Sequence, residues 1–314
     1  MAGTDKEIHD LVIVGAGPAA LTAAIYTTRE DIDTVLYEKG VIGGLAAVTD
    51  WVDNYPGFPD GIAGLELAEA LRKQAERFGA EIRLGEVLSV SDEGALKKVE
   101  TTDGDIYAKT VLISTGSDYK KLGVPGEQEY YARGVHYCAT CDGAFYRDKR
   151  LVVVGGGNSA VQESIFLTKF ASHIDLLVRS KFRASEILQH ELKKHADKIT
   201  VHLGATTDEI VGVDNHVVKV IGTQDGKKVN FTTDGVFVFI GLMPNTQFLQ
   251  NGSVKLDSIG MVRTTPDLRT NVPGIFAAGD VRSGANMQIA SATGEGATAA
   301  MMVRQYLENL ERNS

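Results

Sequence analysis

Residues 11–20 read LVIVGAGPAA and predict a buried strand that turns directly into a helix. The four apolar residues suit a parallel strand that is covered on both faces. In the Gly-x-Gly-x-x-Ala pattern, Gly15 permits the tight turn, Gly17 lets the backbone approach a pyrophosphate, and Ala20 lets helix and strand pack closely. This first glycine loop (residues 15–20) predicts a dinucleotide site, and a glycine-rich turn without a ligand is the alternative. Its expected cofactor contacts are Gly15, Gly17, Pro18, Ala19 and Ala20.

The next predicted strand, residues 34–37, ends at Glu38. An acidic side chain about 20 residues beyond the glycines is where dinucleotide-binding domains hold ribose hydroxyls. Two strands and an acid in the expected places make the dinucleotide interpretation stronger than the glycines alone would. Lys39, directly after the acid, is included among the expected cofactor contacts.

The pattern recurs at residues 151–160, which read LVVVGGGNSA. In this second glycine loop (residues 155–160) the expected nucleotide contacts are Gly155, Gly157, Asn158, Ser159 and Ala160. The strand predicted next, residues 174–177, is followed by VRSKFR and by no acid. Cations here suit the 2′-phosphate of NADP better than the 2′-hydroxyl of NAD. Arg179, Lys181 and Arg183 are therefore candidate phosphate ligands, and a solvated basic loop is the alternative.

Later segments complete the two nucleotide-binding units. Apolar strands that run into turns are predicted at residues 108–116, 237–241 and 275–280. A long helix is predicted at residues 288–304, and its N-terminus would face a flavin carbonyl. The further cofactor contacts expected in these segments are Thr115, Gly116, Gly279, Asp280, Gln288 and Ile289.

The order of these segments predicts an α/β protein with two Rossmann-like domains, the second inserted into the first. We expect the first domain to comprise residues 1–119 and 246–314, and the inserted domain to comprise residues 120–245. The chain has 314 residues, which is enough for two compact domains.

The only two cysteines of the chain stand in the sequence Cys138-Ala139-Thr140-Cys141-Asp142. A structural zinc site needs four ligands, and no second cysteine pair exists to complete one, so no metal is expected. The spacing favours a dithiol that opens and closes as a disulfide. Its position just before the second glycine loop supports that interpretation, and two inert buried thiols are the alternative.

Composition limits the partners and the location. The formal net charge of −9 argues against a nucleic-acid surface. The charged N-terminal segment, residues 1–10, does not resemble a signal peptide, and the apolar run at residues 11–25 is too short to cross a membrane. A redox-active cysteine pair suits a reducing compartment, so we expect a cytoplasmic protein.

Together these motifs resemble the low-molecular-weight thioredoxin reductases over nearly the full length of the chain. Beyond the glycine loops and the cysteine pair, the resemblance rests on the stretches 43–45 (GGL), 54–58 (NYPGF), 114–116 (STG) and 277–281 (AAGDV). It implies tightly bound FAD on the split domain, NADPH on the inserted domain, a homodimer, and thioredoxin as the partner that is reduced. It adds to the expected cofactor contacts Gly43, Gly44, Leu45, Asn54 and Val87.

The resemblance also implies an order of electron transfer. A hydride from the nicotinamide reduces the flavin, the flavin opens the disulfide, and a thiolate attacks the disulfide of thioredoxin. Cys141 is implied to be the sulfur nearer the flavin than Cys138, with Asp142 as a proton donor or acceptor beside it. His136 is expected to be a solvated side chain, and assistance to proton transfer is the alternative.

Two departures from the family pattern leave the electron donor open. The usual His-Arg-Arg signature followed by Arg becomes VRSKFR at residues 178–183, and lysine cannot reproduce the bidentate contact of arginine with phosphate. Met287 stands where the family has an arginine near the flavin. The first alternative is therefore the same dithiol flavoenzyme supplied by reduced ferredoxin or another flavoprotein. A non-catalytic redox sensor is the alternative from another class, whereas relatives that reduce ferredoxin with NADPH lack the cysteine pair.

Overall fold

The computed structural model describes residues 7–49, 51–250 and 252–312, so residues 1–6 of the charged N-terminal segment lie outside it. The chain divides into two compact units. Unit 1 comprises Met1–Asp118 and Met243–Ser314, and unit 2 comprises Tyr119–Leu242. Within the described ranges, no helix is long and apolar enough to cross a membrane.

The first part of unit 1 begins with alternating strands and helices. Its elements are β1 (Ile8–Val14), α1 (Pro18–Thr28), β2 (Thr34–Glu38), α2 (Gly44–Ala47), α3 (Gly64–Arg77), β3 (Glu81–Leu84), β4 (Val87–Glu93), β5 (Leu96–Thr101) and β6 (Gly104–Ile113). The short strand β7 (Ser117–Tyr119) follows at the boundary between the units.

Unit 2 repeats the alternation and adds an antiparallel sheet. Its elements are β8 (Val135–His136), α4 (Ala139–Asp142), a 3-10 turn (Gly143–Tyr146), β9 (Arg150–Val154), α5 (Asn158–Leu167), β10 (His173–Val178), α6 (Glu186–Lys193), β11 (Ile199–Leu203), β12 (Glu209–Val213), β13 (His216–Gln224), β14 (Lys227–Thr232) and β15 (Gly235–Val238). The chain then pairs β16 (Leu242–Pro244) with β7. It completes unit 1 with a 3-10 turn (Gln247–Leu249), β17 (Ile275–Ala277) and α7 (Ile289–Arg312).

The large sheet of unit 1 has the order β3-β2-β1-β6-β5-β4. Strands β3, β2, β1 and β6 are parallel, whereas β5 and β4 are antiparallel to their neighbours. The first half of β6 pairs with β5, and its second half pairs in parallel with β17. Alternate side chains of β1 enter different cores: Leu11 and Ile13 pack with α1 and α7, and Val12 and Val14 pack on the other face. Coverage of both faces explains the unbroken apolar run.

Unit 2 is built on a five-stranded parallel sheet in the order β11-β10-β9-β15-β8. Its central strand β9 also divides its side chains, with Leu151 and Val153 in one core and Val152 and Val154 in the other. The antiparallel sheet β12-β13-β14 is separate. Both units thus carry a parallel sheet with helices connecting its strands, which confirms the predicted α/β class.

Candidate active site

The first glycine loop joins β1 to α1 along a path that requires glycine. Gly15 has a φ of 103°, and a Cβ atom on it would lie 2.5 Å from the carbonyl oxygen of Ser114, directly after β6. A Cβ atom on Gly17 would instead meet no described atom within 4 Å, although Gly17 caps the first turn of α1. Open space therefore lies before the backbone N–H groups of the helix, where such loops bind a pyrophosphate.

Two further segments of unit 1 are held against this loop. The carboxylate of Glu38, at the end of β2, accepts the N–H of Ala16 at 2.8 Å. Gly43 donates its N–H to the carbonyl oxygen of Ala16 at 2.8 Å, and a Cβ atom on Gly44 would lie 3.6 Å from the Cα of Gly17. The acid predicted to bind a ribose and the start of α2 thus lie beside the predicted pyrophosphate position.

The segment after β17 approaches the same helix. A Cβ atom on Gly279 would lie 3.0 Å from the Cβ of Ala19, near the start of α1. The N–H of Gly279 donates to Glu295 of α7 at 2.8 Å, and the same carboxylate pairs with Arg282, whose Nε lies 2.7 Å away. This ion pair fixes the turn that carries Asp280, and the sequence offered no signal for it.

Asp280 carries a largely buried carboxyl group that receives no hydrogen bond from any residue in the described ranges. Burial raises its pKa to about 6, and the negative charge of Glu295 is the second cause. Buried polar groups are normally satisfied, so the carboxyl group of Asp280 fits a polar ligand such as the sugar chain of a flavin nucleotide.

The remaining predicted polar contacts lie directly after the end of β6 and directly before the start of α7. Thr115 donates its hydroxyl to the carbonyl oxygen of Asn245 at 2.7 Å, and Gly116 follows with a φ of 65°. Asn54 donates its side-chain amide to Gln288 at 3.1 Å, immediately before α7 begins. Asn54 is thereby held at the N-terminus of the helix that was predicted to face a flavin.

For three of the predicted cofactor contacts, no described interaction connects the residue to the first glycine loop. Lys39 is exposed, and its Nζ lies 3.4 Å from Oε1 of Glu86. Leu45 is also exposed, whereas Val87 is buried in the core of unit 1. Because the side chain of Val87 is buried, only its backbone could contact a cofactor. The assignments of all three residues as cofactor contacts stay predictions.

The second glycine loop, between β9 and α5, repeats the geometry of the first. Gly155 has a φ of 149°, and a Cβ atom on it would lie 2.4 Å from the carbonyl oxygen of Phe239, directly after β15. A Cβ atom on Gly157 would meet no described neighbour within 4 Å. The carbonyl of Gly156 accepts the N–H of Arg183 at 2.7 Å. The basic segment is thus tied to the loop by its backbone.

The side chains around this loop are available to a ligand. Asn158 and Ser159 are exposed at the start of α5, whereas Ala160 is buried beneath them. Arg179, Lys181 and Arg183 are exposed as well, and no described acidic side chain forms an ion pair with them. Their charges thus remain for an anionic ligand such as a 2′-phosphate.

The predicted cysteine pair forms a disulfide with a Cα–Cα distance of 5.3 Å. Cys138 caps the short helix α4, and its Sγ accepts the N–H of Cys141 at 3.2 Å. Both residues are half-buried, so neither is shut away in the core of unit 2. A bond of this kind can be opened by two electrons and closed again by thiol–disulfide exchange.

His136 is not the solvated side chain that we expected from the sequence. It is 7% exposed in β8, its Nδ1 lies 3.2 Å from Oδ2 of Asp142, and its Nε2 lies 2.7 Å from the hydroxyl of Tyr146. The prediction was wrong because the partners come from the segment after the cysteines, and only the folded turn brings them to the ring.

Comparisons with known proteins agree with this geometry. The family model for pyridine nucleotide-disulphide oxidoreductases matches residues 9–296. The thioredoxin reductase of Listeria monocytogenes is 42% identical over 99% of this chain and 97% of its own length. That of Bacillus subtilis is 42% identical over 98% of each chain. The crystal structure of thioredoxin reductase from Streptococcus pyogenes is 41% identical and has a TM-score of 0.91, covering 97% of this chain and 100% of that one.

Alanine substitutions at the first glycine loop should separate folding from cofactor binding. Gly15→Ala forces a Cβ atom onto a backbone oxygen at a left-handed φ, so we expect the free energy of unfolding to fall by about 2 to 4 kcal/mol. Gly17→Ala meets nothing in the cofactor-free chain and should cost less than ~1 kcal/mol, yet FAD affinity should fall at least about tenfold because the methyl group blocks the pyrophosphate. Urea unfolding and FAD titration measure the two effects. Equal destabilisation by both variants would contradict the separate roles of the two glycines.

Asp280→Asn should change the pH dependence of stability. The carboxyl pKa is about 6 in the folded chain and about 3.9 when unfolded. The contribution of Asp280 is thus fully present below about pH 4 and is lost as pH rises through about 6. In the cofactor-free protein, the Tm of D280N minus that of the wild type should rise by about 3 °C or more between pH 4 and 7. The exposed control Asp60→Asn should show no such rise, and a flat difference for D280N would refute the assignment.

Proposed function

This chain belongs to the pyridine nucleotide-disulphide oxidoreductase family, and we propose that it is an FAD-dependent thioredoxin-disulfide reductase that takes its electrons from NADPH. The observation that carries the proposal is the half-buried disulfide between its only two cysteines, Cys138 and Cys141. One glycine loop of the dinucleotide-binding type in each unit supports two nucleotide sites, which such a reaction needs.

Unit 1 would hold FAD. The first glycine loop offers backbone N–H groups to the pyrophosphate, Glu38 offers an acceptor to a ribose hydroxyl, and Asp280 offers a largely buried carboxyl to the ribityl chain. The N-terminus of α7 adds the positive end of a helix dipole. When bound, FAD supplies the two-electron chemistry that links a hydride donor to a disulfide.

Unit 2 would hold NADPH. The second glycine loop receives the pyrophosphate, and the three exposed cations Arg179, Lys181 and Arg183 receive the 2′-phosphate. Lysine acts there as a point charge and not as a bidentate fork, so the site relies on summed charge more than on geometry. The comparisons give no support to ferredoxin or a flavoprotein as the donor in place of NADPH.

The cysteine pair would carry the electrons to thioredoxin. Two electrons break the Cys138–Cys141 bond, and the uptake of one proton then gives one thiol and one thiolate. The thiolate attacks the disulfide of thioredoxin and forms a mixed disulfide, which the second sulfur resolves after losing its proton. Asp142, directly after Cys141, exchanges that proton. Each cycle returns the pair to its oxidised form and releases reduced thioredoxin.

Two further features of the proposal follow from the family and from redox chemistry. The resemblance to low-molecular-weight thioredoxin reductases supports a homodimer. A cysteine pair that must be reduced in every cycle suits the cytoplasm, where thiols are kept reduced. Size-exclusion chromatography with light scattering tests the first feature, and cell fractionation tests the second.

Anaerobic titration of the FAD-loaded protein tests the proposed donor and acceptor together. We expect sub-millimolar NADPH to bleach the visible flavin band, NADH to bleach it much less, and oxidised thioredoxin to restore it. The control variant Cys138→Ser/Cys141→Ser should still bleach with NADPH but should not reduce thioredoxin, because only the disulfide is missing. If NADPH leaves the wild-type band unchanged while dithionite bleaches it, the donor is wrong. If thioredoxin does not restore the band, the acceptor is wrong.

Removal of the three cations should separate NADPH from NADH. In Arg179→Gln/Lys181→Gln/Arg183→Gln we expect KM for NADPH to rise about 10- to 100-fold, because each charge-assisted contact with a phosphate contributes about 1.5 to 3 kcal/mol before screening. KM for NADH should change by less than about threefold, since NADH has no 2′-phosphate. The control Lys227→Gln/Lys228→Gln removes exposed charges of β14 in the same unit and should leave both values unchanged. A parallel rise for NADH would mean that the segment does not recognise the 2′-phosphate.

A further inference from the structure

His136 is packed so that its ring cannot turn freely. The ring stacks on Phe237 with centroids 5.2 Å apart and meets the edge of Tyr146 at 5.3 Å. Tyr146 is itself held against β15, where a Cβ atom on Gly235 would lie 2.5 Å from its ring. The two ring nitrogens of His136 are thus fixed towards Asp142 and Tyr146.

The hydrogen-bond directions follow from the chemistry of the partners. Burial raises the pKa of Tyr146 well above its usual range, and the charges of Asp142 and Asp234 raise it further. The tyrosine therefore keeps its proton, and its hydroxyl forms a hydrogen bond of 2.7 Å with Nε2 of His136. A carboxylate can only accept, so the tautomer that suits both partners carries its hydrogen on Nδ1 and accepts the tyrosine O–H at Nε2. In that tautomer Nδ1–H faces Oδ2 of Asp142, which lies 3.2 Å away.

We propose that His136 is a positioning residue for the reaction of the cysteine pair, because its Nδ1 lies 3.2 Å from the carboxylate of Asp142, the residue that follows Cys141, and Tyr146 fixes its tautomer. This inference rests on the proposed function, in which Asp142 exchanges a proton with the pair. Two electrons break the S–S bond and leave two thiolates. Asp142 takes up a proton from solvent and gives it to one thiolate, which leaves Asp142 again as the carboxylate that faces Nδ1–H. Before the second sulfur resolves the mixed disulfide, its thiol returns this proton to Asp142 and so to solvent.

Two conservative variants distinguish the two nitrogens of His136. The amide NH₂ of His136→Asn reaches the position of Nδ1 and keeps a donor for Asp142. The amide of His136→Gln reaches the position of Nε2 and keeps only the contact with Tyr146. Both variants are polar and similar in size to histidine, so they are matched for folding. His216→Gln, at an exposed position of β13, controls for the substitution itself.

The readout is the pH at which alkylation of the cysteine pair is half-maximal. FAD-loaded protein is reduced with dithiothreitol, freed of reductant without oxygen, and treated with iodoacetamide between pH 5 and 9. A carboxylate fixed beside a thiol disfavours the thiolate. Without the Nδ1 donor the carboxylate is no longer held in place and turns to solvent, and its removal from the pair lets the thiolate form at lower pH. We expect H136Q to lower the midpoint by about 0.5 pH units or more, and H136N and H216Q to stay within about 0.2 of the wild type.

An unchanged midpoint in H136Q, or equal shifts in H136N and H136Q, would overturn the proposal. Should H136Q lose FAD or melt early, His136→Ser decides, because serine also cannot reach Asp142 and should shift the midpoint downwards. The alkylation assay needs neither NADPH nor thioredoxin. A shift found in H136Q without any reduction of thioredoxin would refute the proposed function alone, and normal thioredoxin reduction with no shift would refute this inference alone.

Discussion

Both glycine loops depend on one constraint, which is the absence of a side chain where the loop crosses the end of a neighbouring parallel strand. In unit 1 a Cβ atom on Gly15 would strike the backbone after β6, and in unit 2 one on Gly155 would strike the backbone after β15. This closeness lets the following helix start at the carboxyl edge of the sheet, with its N–H groups facing outwards. In unit 1, Glu38, Gly43 and Gly279 are positioned against the first of these two helix ends.

Buried carboxylates in this chain differ in whether other residues of the protein supply them with hydrogen-bond or ion-pair partners. Glu127 of unit 2 accepts the N–H groups of Leu122 and Gly123 and the hydroxyl of Tyr137, so its role is structural. Glu295 is likewise occupied by its arginine and a backbone N–H. Asp280 lacks such partners within the described part of the chain. A ligand is expected beside a buried acid that has no partner when the polar groups around it all have theirs.

Local pattern was sufficient for the strands beside the glycine turns, for those turns and for the cysteine pair, because each of these is determined by residues close together in the sequence. The antiparallel strands β4, β5 and β12 to β14 were not predicted. The run at residues 11–20 specifies its own strand, turn and helix, and the Cys-x-x-Cys spacing allows the disulfide without further information. Interactions between segments that are distant in the chain could not be predicted from the sequence. The contact of Asn54 with Gln288 spans 234 positions, and His136 meets Asp142 and Tyr146 only when the turn after Cys141 folds back. Exposure of Lys39 and burial of Val87 depend equally on neighbours in space.

The short pairing of β7 with β16 has a consequence for modularity. The N–H of Lys120 donates to the carbonyl oxygen of Gly241 at 3.0 Å, so the two ends of unit 2 meet. An insertion whose ends coincide can be excised, and a loop of about two to four residues is long enough to rejoin the host. The same geometry places the two junctions of unit 2 next to each other, so an exchange of unit 2 for a homologous unit would cut the chain at two adjacent points. Under the proposed function, such an exchange would transfer the donor site together with the unit.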